Sequence, residues 1–209
     1  MTKTIKILGI STSMSKKSRS RKFLNDLNLD KHKTIDYKQL DLIDKDYSSL
    51  SCSACESCAD NEVCINKMNN IVLRAFHEAD IIIIAAPIYY GSLTGKTKSL
   101  MECLYPFRDQ QLKGKEVIVV VSSAKEGQEG IAVMELLPWC YKHRMLLVQI
   151  ESIHDNTSQE ELGGIVDRIN QSILDYDIKK EIDIDFQNLN YLGKRVGIPI
   201  YYDVEKKKE

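Results

Sequence analysis

The segment Asp80-Ile-Ile-Ile-Ile-Ala-Ala86 constrains the fold more than any other stretch of the chain. A strand apolar at every position has no face to offer to water, so it must lie inside a sheet covered on both sides. That is the condition of a central parallel strand flanked by helices.

The surrounding pattern agrees. Residues 3–10, 34–42, 116–122 and 145–150 read as four further strands, and residues 18–29, 69–78, 94–105 and 129–143 carry helical spacing between them. The alternation predicts an α/β protein with a parallel sheet. Pro138 is expected to kink or interrupt the fourth helix. A longer helix over residues 158–180 closes the regular part, followed by a short stretch at 191–196 and a solvated charge run at 205–209. Between them, residues 181–190 alternate Ile182, Ile184 and Phe186 with polar residues and fit an edge strand or an extended arm.

With 209 residues, 43% of them hydrophobic, the chain suits one domain over 1–209 with a cysteine-rich loop at 51–66 and a C-terminal extension at 181–209. The 29 basic and 30 acidic residues nearly cancel, which argues against a nucleic-acid or anionic-membrane partner. The N-terminus runs directly into a strand, and no segment reaches membrane-spanning length. A cytoplasmic protein is expected, in a compartment that keeps thiols reduced.

Those thiols are concentrated. Cys52, Cys55, Cys58 and Cys64 follow a C-x2-C-x2-C-x5-C pattern between the second strand and the helix before the third. A cubane cluster takes one thiolate per iron, so the loop can supply a full ligand set for one 4Fe-4S cluster. Zinc also accepts four thiolates, usually from two C-x2-C pairs much farther apart. Paired disulfides suit small secreted domains rather than a chain of this kind. Cys103 and Cys140 fall within predicted helices and read as packed residues.

In a doubly wound sheet, ligands bind outside the carboxyl ends of the strands. The loop after the first strand, Ser11-Thr-Ser-Met-Ser-Lys-Lys-Ser-Arg-Ser20, is rich in hydroxyls and positive charge and leads into a helix, as a phosphate cradle requires. Serines cap helices without any ligand too. Neither a G-x-G-x-x-G nor a G-K-[ST] motif is in place, and Gly91-Ser-Leu-Thr-Gly95-Lys-Thr97 is one residue short of a P-loop. A monophosphate is the better expectation. The loop Ala86-Pro-Ile-Tyr-Tyr-Gly-Ser92 offers a shaped turn and two aromatic rings to a flat ligand, and Ser122-Ser-Ala-Lys-Glu-Gly-Gln-Glu-Gly130 a small polar edge. No side chain reads as a catalytic acid or base, and His32, His77, His143 and His154 are scattered.

Taken in order, these segments resemble the iron-sulfur flavoproteins of the NAD(P)H-dependent FMN reductase group. The likeness rests on Ser11 with Ser18-Arg-Ser20, the four-cysteine motif, Pro87-Ile-Tyr-Tyr-Gly-Ser92, Glu126-Gly-Gln-Glu129 with Glu135-Leu-Leu-Pro138, and Leu192-Gly-Lys-Arg-Val196. It implies a flavodoxin-like, doubly wound five-stranded parallel sheet of order 2-1-3-4-5 with the cysteine loop inserted after strand 2. By the same resemblance, FMN phosphate would meet Ser11, Ser13, Ser18, Arg19 and Ser20. The ring would rest against Pro87, Ile88, Tyr89, Tyr90, Gly91 and Ser92, with Ser123 and Ala124 opposite. Cys52, Cys55, Cys58 and Cys64 would hold the cluster.

The implied function is electron transfer between FMN and a 4Fe-4S cluster, to or from ferredoxin or NAD(P)H, in a homodimer or homotetramer. Two alternatives remain: a cluster-free NAD(P)H-dependent FMN or quinone reductase, and a non-enzymatic redox or oxygen sensor. The sequence departs from the family pattern at Thr12 and Ser13, where Pro-Arg often follows the leading serine, and at Arg144 and Gln149, where glycines are common. Residues 151–164 match nothing recognisable.

Overall fold

The computed structural model describes residues 4–44, 47, 49–59, 63–107 and 111–176. Within them the strands are β1 (Ile5–Ser11), β2 (Ile35–Asp41), β3 (Ile81–Tyr89), β4 (Ser92–Leu93), β5 (Glu116–Ser122) and β6 (Leu146–Ile153). The helices are α1 (Arg19–Asp26), α2 (Lys67–Glu78), α3 (Gly95–Cys103), α4 (Glu129–Lys142) and α5 (Gln159–Leu174). The long strands are all parallel in the order β2-β1-β3-β5-β6, the expected doubly wound arrangement. Sequence reasoning did not anticipate β4, which folds back antiparallel on the end of β3.

Period-two alternation in β3 divides the core. Ile82, Ile84 and Ala86 pack with Val72 and Phe76 of α2, Leu100 of α3 and Leu136 and Trp139 of α4. Ile81, Ile83 and Ala85 face the other way, onto Phe23 and Leu24 of α1 and Ile165, Ile169 and Ile173 of α5. Residues Ile81 to Ala86 are completely or almost completely buried. Each such isoleucine contributes about 1.5–3 kcal/mol through burial.

Several helix starts are fixed locally. The Ser18 hydroxyl caps α1, Asn66 caps α2, and Ser158 with Glu161 forms a capping box at α5, inside the region that matched nothing recognisable. Gly9 sits in the middle of β1 because the Tyr37 ring of β2 occupies the space where a Cβ would project.

Four expectations need correction. Pro138 does not interrupt α4, which runs as one helix from Glu129 to Lys142; the buried Leu136, Trp139 and Cys140 hold it to the sheet across the missing N–H. The last strand continues three residues past 150, to Ile153, and carries a register shift opposite Val117/Ile118. The third strand continues to Tyr89. The C-terminal helix expected over 158–180 ends sooner, at Leu174, where Asp175 caps α5 with its N–H on the Gln171 and Ile173 carbonyls. Residues 177–180, the alternating stretch 181–190, the 191–196 stretch and the charged tail lie outside the described residues. No described helix is long and apolar enough to cross a membrane.

The β3–β4 hairpin turns on Tyr90 (φ 52°) and Gly91 (φ 71°), both left-handed, as a two-residue type I′ turn demands. A clamp from α4 fixes it. Glu135 accepts from the Ser92 hydroxyl at 2.8 Å and from the Leu93 N–H at 3.4 Å, and its other oxygen lies 2.6 Å from Lys98 Nζ of α3. Burial acts to raise the Glu135 carboxyl, but the hydrogen bonds from Lys98 and Ser92 outweigh it and hold the group below its ordinary value.

Replacing Ile83 with alanine should lower stability in urea unfolding by about 2–5 kcal/mol; a loss under about 1 kcal/mol would mean that β3 is not packed on both faces. A carboxyl more acidic in the folded chain contributes fully above the ordinary carboxylate range and loses that contribution as pH falls through its lowered pKa. Glu135→Gln should therefore be less stable at neutral pH by about 1–2 kcal/mol. Its stability should also fall less steeply than that of the parent chain between about pH 5 and pH 3. Parallel acid limbs for the two proteins would remove the clamp.

Candidate functional site

Parallel strands end on one edge, so the loops leaving β1, β3 and β5 meet there. They enclose a cleft of about 270 Å³ lined by Ser13, Ser15, Lys17, Ser18 and Arg19 from the first loop, Pro87, Ile88 and Tyr89 from β3, and Ser122, Ser123 and Ala124 after β5. Pro87 stands opposite Ser122 in the β3–β5 register, so these two walls come from neighbouring strand ends. The N-terminus of α1 opens here, with no acidic residue in its first turn. Free N–H groups and the positive end of the helix dipole suit an anion at this point. Arg19 is ion-paired with Asp155 after β6, and Lys17 adds a second cation to the rim.

Eight of the residues singled out in the sequence thus share one cleft: Ser13, Ser18, Arg19, Pro87, Ile88, Tyr89, Ser123 and Ala124. The other five lie elsewhere. Ser11 ends β1 between Asp41 and Ala85, with its hydroxyl buried and without a partner among the described residues. Ser20 faces the sheet from α1, and its hydroxyl is engaged with Ser122 at 2.8 Å. Tyr90 and Gly91 form the hairpin turn, Tyr90 fully exposed, and Ser92 is committed to Glu135. Ser15, Lys17 and Ser122 also line the cleft; the sequence placed them in the first and third candidate loops without singling them out. The first two sit in the hydroxyl-rich loop, and Ser122 is the polar residue that ends the apolar run of β5.

The four motif cysteines line a second cleft, of about 370 Å³, together with Asn66 and Asn69 of the α2 start and Glu102, Cys103, Tyr105 and Pro106 at the end of α3. None of these cysteines is in a disulfide. Cys52 and Cys55 are exposed, Cys64 is partly buried and Cys58 is buried. Hydrogen bonding to sulfur is already present: the Ala54 N–H reaches Cys52 Sγ at 3.5 Å, Ser57 Oγ is 3.2 Å from Cys55 Sγ, and Asn69 Nδ2 is 3.2 Å from Cys64 Sγ. The Ser57 side chain and backbone hold the Cys55 thiol below its ordinary value.

Left-handed backbone at Ala54 (φ 52°) and Glu56 (φ 59°) curls the loop around this cleft. Among the described residues, no three His, Cys, Asp or Glu side chains converge closely enough to ligate one metal ion. The donor set nevertheless fits a thiophilic metal centre, because four reduced thiols line one cleft with N–H donors at hand.

Cys103 is packed in the core, as expected, and it also lines this cleft, which the sequence did not reveal. Burial first, and then the neighbouring Cys52 and Cys64, push its thiol up to about 12. Cys140 is buried in α4. His143 is buried too, its Nδ1 3.2 Å from the Phe107 carbonyl, and burial lowers its pKa.

Comparison with known proteins adds an independent line. Residues 5–158 match the family described as NADPH-dependent FMN reductase. An iron-sulfur flavoprotein of Archaeoglobus fulgidus is 28% identical over 149 residues, spanning 70% of this chain and 73% of its own. An iron-sulfur flavoprotein of Methanocaldococcus jannaschii is 26% identical over 198 residues, spanning 92% of this chain and 96% of its own. Among solved structures, an NADH:FMN oxidoreductase in its apo form has a TM-score of 0.60 at 20% identity, over 81% of this chain and 90% of that one. The NAD(P)H:quinone oxidoreductase of Methanothermobacter marburgensis has a TM-score of 0.64 at 14% identity, over 85% of this chain and 100% of that one. At those identities the structural likeness is one of fold. The match across β1 to the end of β6, on a sheet whose strand ends form the first cleft, makes this chain a member of the NADPH-dependent FMN reductase family, a flavin-dependent oxidoreductase of flavodoxin-like fold.

Proposed function

We propose that the chain is an iron-sulfur flavoprotein, with FMN in the strand-end cleft and a 4Fe-4S cluster on Cys52, Cys55, Cys58 and Cys64. The observation that carries this reading is the gathering of all four motif cysteines on one cleft of an FMN reductase fold. FMN takes a hydride as an electron pair and releases electrons singly, and a cluster passes them one at a time.

The chain's own residues would bind and orient these groups. Ser13, Ser18 and the first-turn N–H groups of α1 would accept the phosphate, with Arg19 exchanging Asp155 for it. Pro87, Ile88 and Tyr89 would form one wall for the ring, and Ser123 with Ala124 the other. Ser11 and Ser20 would support the phosphate loop from beneath, and the Tyr90-Gly91-Ser92 hairpin would border the ring. Electrons would enter or leave through NAD(P)H or ferredoxin, in a cytoplasmic homodimer or homotetramer.

Anaerobic purification followed by flavin, iron, sulfide and zinc analysis tests the proposal. Near-stoichiometric FMN with about four irons and four sulfides per chain is expected. Cys58→Ser should lower iron and leave flavin content unchanged. FMN accompanied by zinc, or by no metal, would overturn the cluster and leave a cluster-free FMN or quinone reductase.

A further inference from the structure

The cysteine loop is not held only by its own backbone. Asparagines in the first turn of α2 reach back to it at both ends. Asn66 Nδ2 donates to the Ser49 carbonyl at 3.2 Å. Asn70 grips the Cys64 backbone from both sides: its Oδ1 accepts the Cys64 N–H at 3.0 Å, and its Nδ2 donates to the Cys64 carbonyl at 2.7 Å. Asn69 Nδ2 divides its two protons between the Ser51 carbonyl, at 2.8 Å, and Cys64 Sγ, at 3.2 Å. The entrance of the loop at Ser51 and its exit at Cys64 are thereby tied to one amide nitrogen.

Asn69 departs from what packing alone would select. It is 1% exposed, among Val72, Leu73 and Phe76 of the same helix, and its Oδ1 is buried with no partner among the described residues. A half-satisfied buried amide is costlier than leucine of similar size. Its orientation is fixed, because the Ser51 carbonyl can only accept, so the nitrogen must face Ser51 and the sulfur. Its satisfied end is therefore the end that touches a metal-ligand candidate, the arrangement by which outer groups orient ligands and tune a metal centre.

We propose that Asn69 is a positioning residue that pre-sets Cys64 as the fixed ligand of the cysteine site, with its amide N–H lowering the electron density on that sulfur. The inference rests on the cluster reading for its redox consequence, while the positioning itself is a property of the chain. Asn69→Leu removes both hydrogen bonds, and Asn69→Ala removes them without adding bulk or charge to this buried position, which guards against a folding failure of the first variant.

Two readouts separate the possibilities. With iron chelated away, mass-resolved alkylation of the full chain should modify Cys64 several-fold faster in either variant, with the rate at Cys55, which Ser57 rather than Asn69 engages, unchanged. In the anaerobically purified iron-loaded protein, FMN content should stay at the parental level while iron release to a chelator accelerates several-fold and the cluster's reduction potential becomes more negative. Parental alkylation rates at Cys64 would overturn the positioning role, whatever metal the loop holds. Faster alkylation with an unchanged potential would overturn the tuning role. A parent chain that binds no iron but shows the alkylation change would preserve the positioning and refute the cluster reading instead.

Discussion

Burial of β3 on both faces governs the rest of this molecule. Ile82 and Ile84 require one helical layer and Ile81 and Ile83 another, so the crossovers must be shared between the two sides: α1 and α5 on one, α2, α3 and α4 on the other. A right-handed crossover on each side then fixes the strand order outward from β1 and β3, and every long strand ends on the same edge. The first cleft follows from that geometry. Its position owes little to the loops that line it, whereas its chemistry owes everything to them: hydroxyls and cations after β1, a proline and an aromatic ring at the end of β3, small polar residues after β5.

The cysteine site is built by a different principle. It lies outside the sheet, on a loop between β2 and α2, and uses the end of α3 as its second wall. Because α2 and α3 belong to the same core layer, the loop is attached to packed elements at Asn66, Asn69 and Cys103 without requiring any change in the sheet. A loop of this sort can be accommodated beside a flavodoxin-like sheet at little structural cost, because loop-closure entropy rises only slowly with length.

What the sequence disclosed depended on how local the signal was. The run Ile81 to Ile84 announced a central strand because nothing else can bury such a segment, and Ser18 announced the start of α1 because capping is a contact within one turn. Eight of the expected flavin-site residues reached one cleft because loops at parallel strand ends have only one place to meet. The facing of a side chain was less legible. Ser20 lies two residues past the cap of α1 and turns toward Ser122, a direction set by how α1 seats on β5. Ser92 belongs to a hairpin whose turn places Tyr90, a residue seldom left-handed, at φ 52°, and only Glu135, far along the chain, explains why the hairpin holds. Cys103 and Asn69 read as ordinary helix residues because their meeting with the cysteine loop is a tertiary event.

The central claim is that one chain carries a two-electron flavin and a one-electron cluster. Anaerobic titration of the purified protein with a calibrated reductant, followed by absorbance and by electron paramagnetic resonance, tests it most directly. Full reduction should take about three electron equivalents per chain, two for FMN and one for the cluster, with a reduced-cluster signal that disappears in Cys58→Ser. An end point at about two equivalents, with no such signal in iron-replete protein, would contradict it.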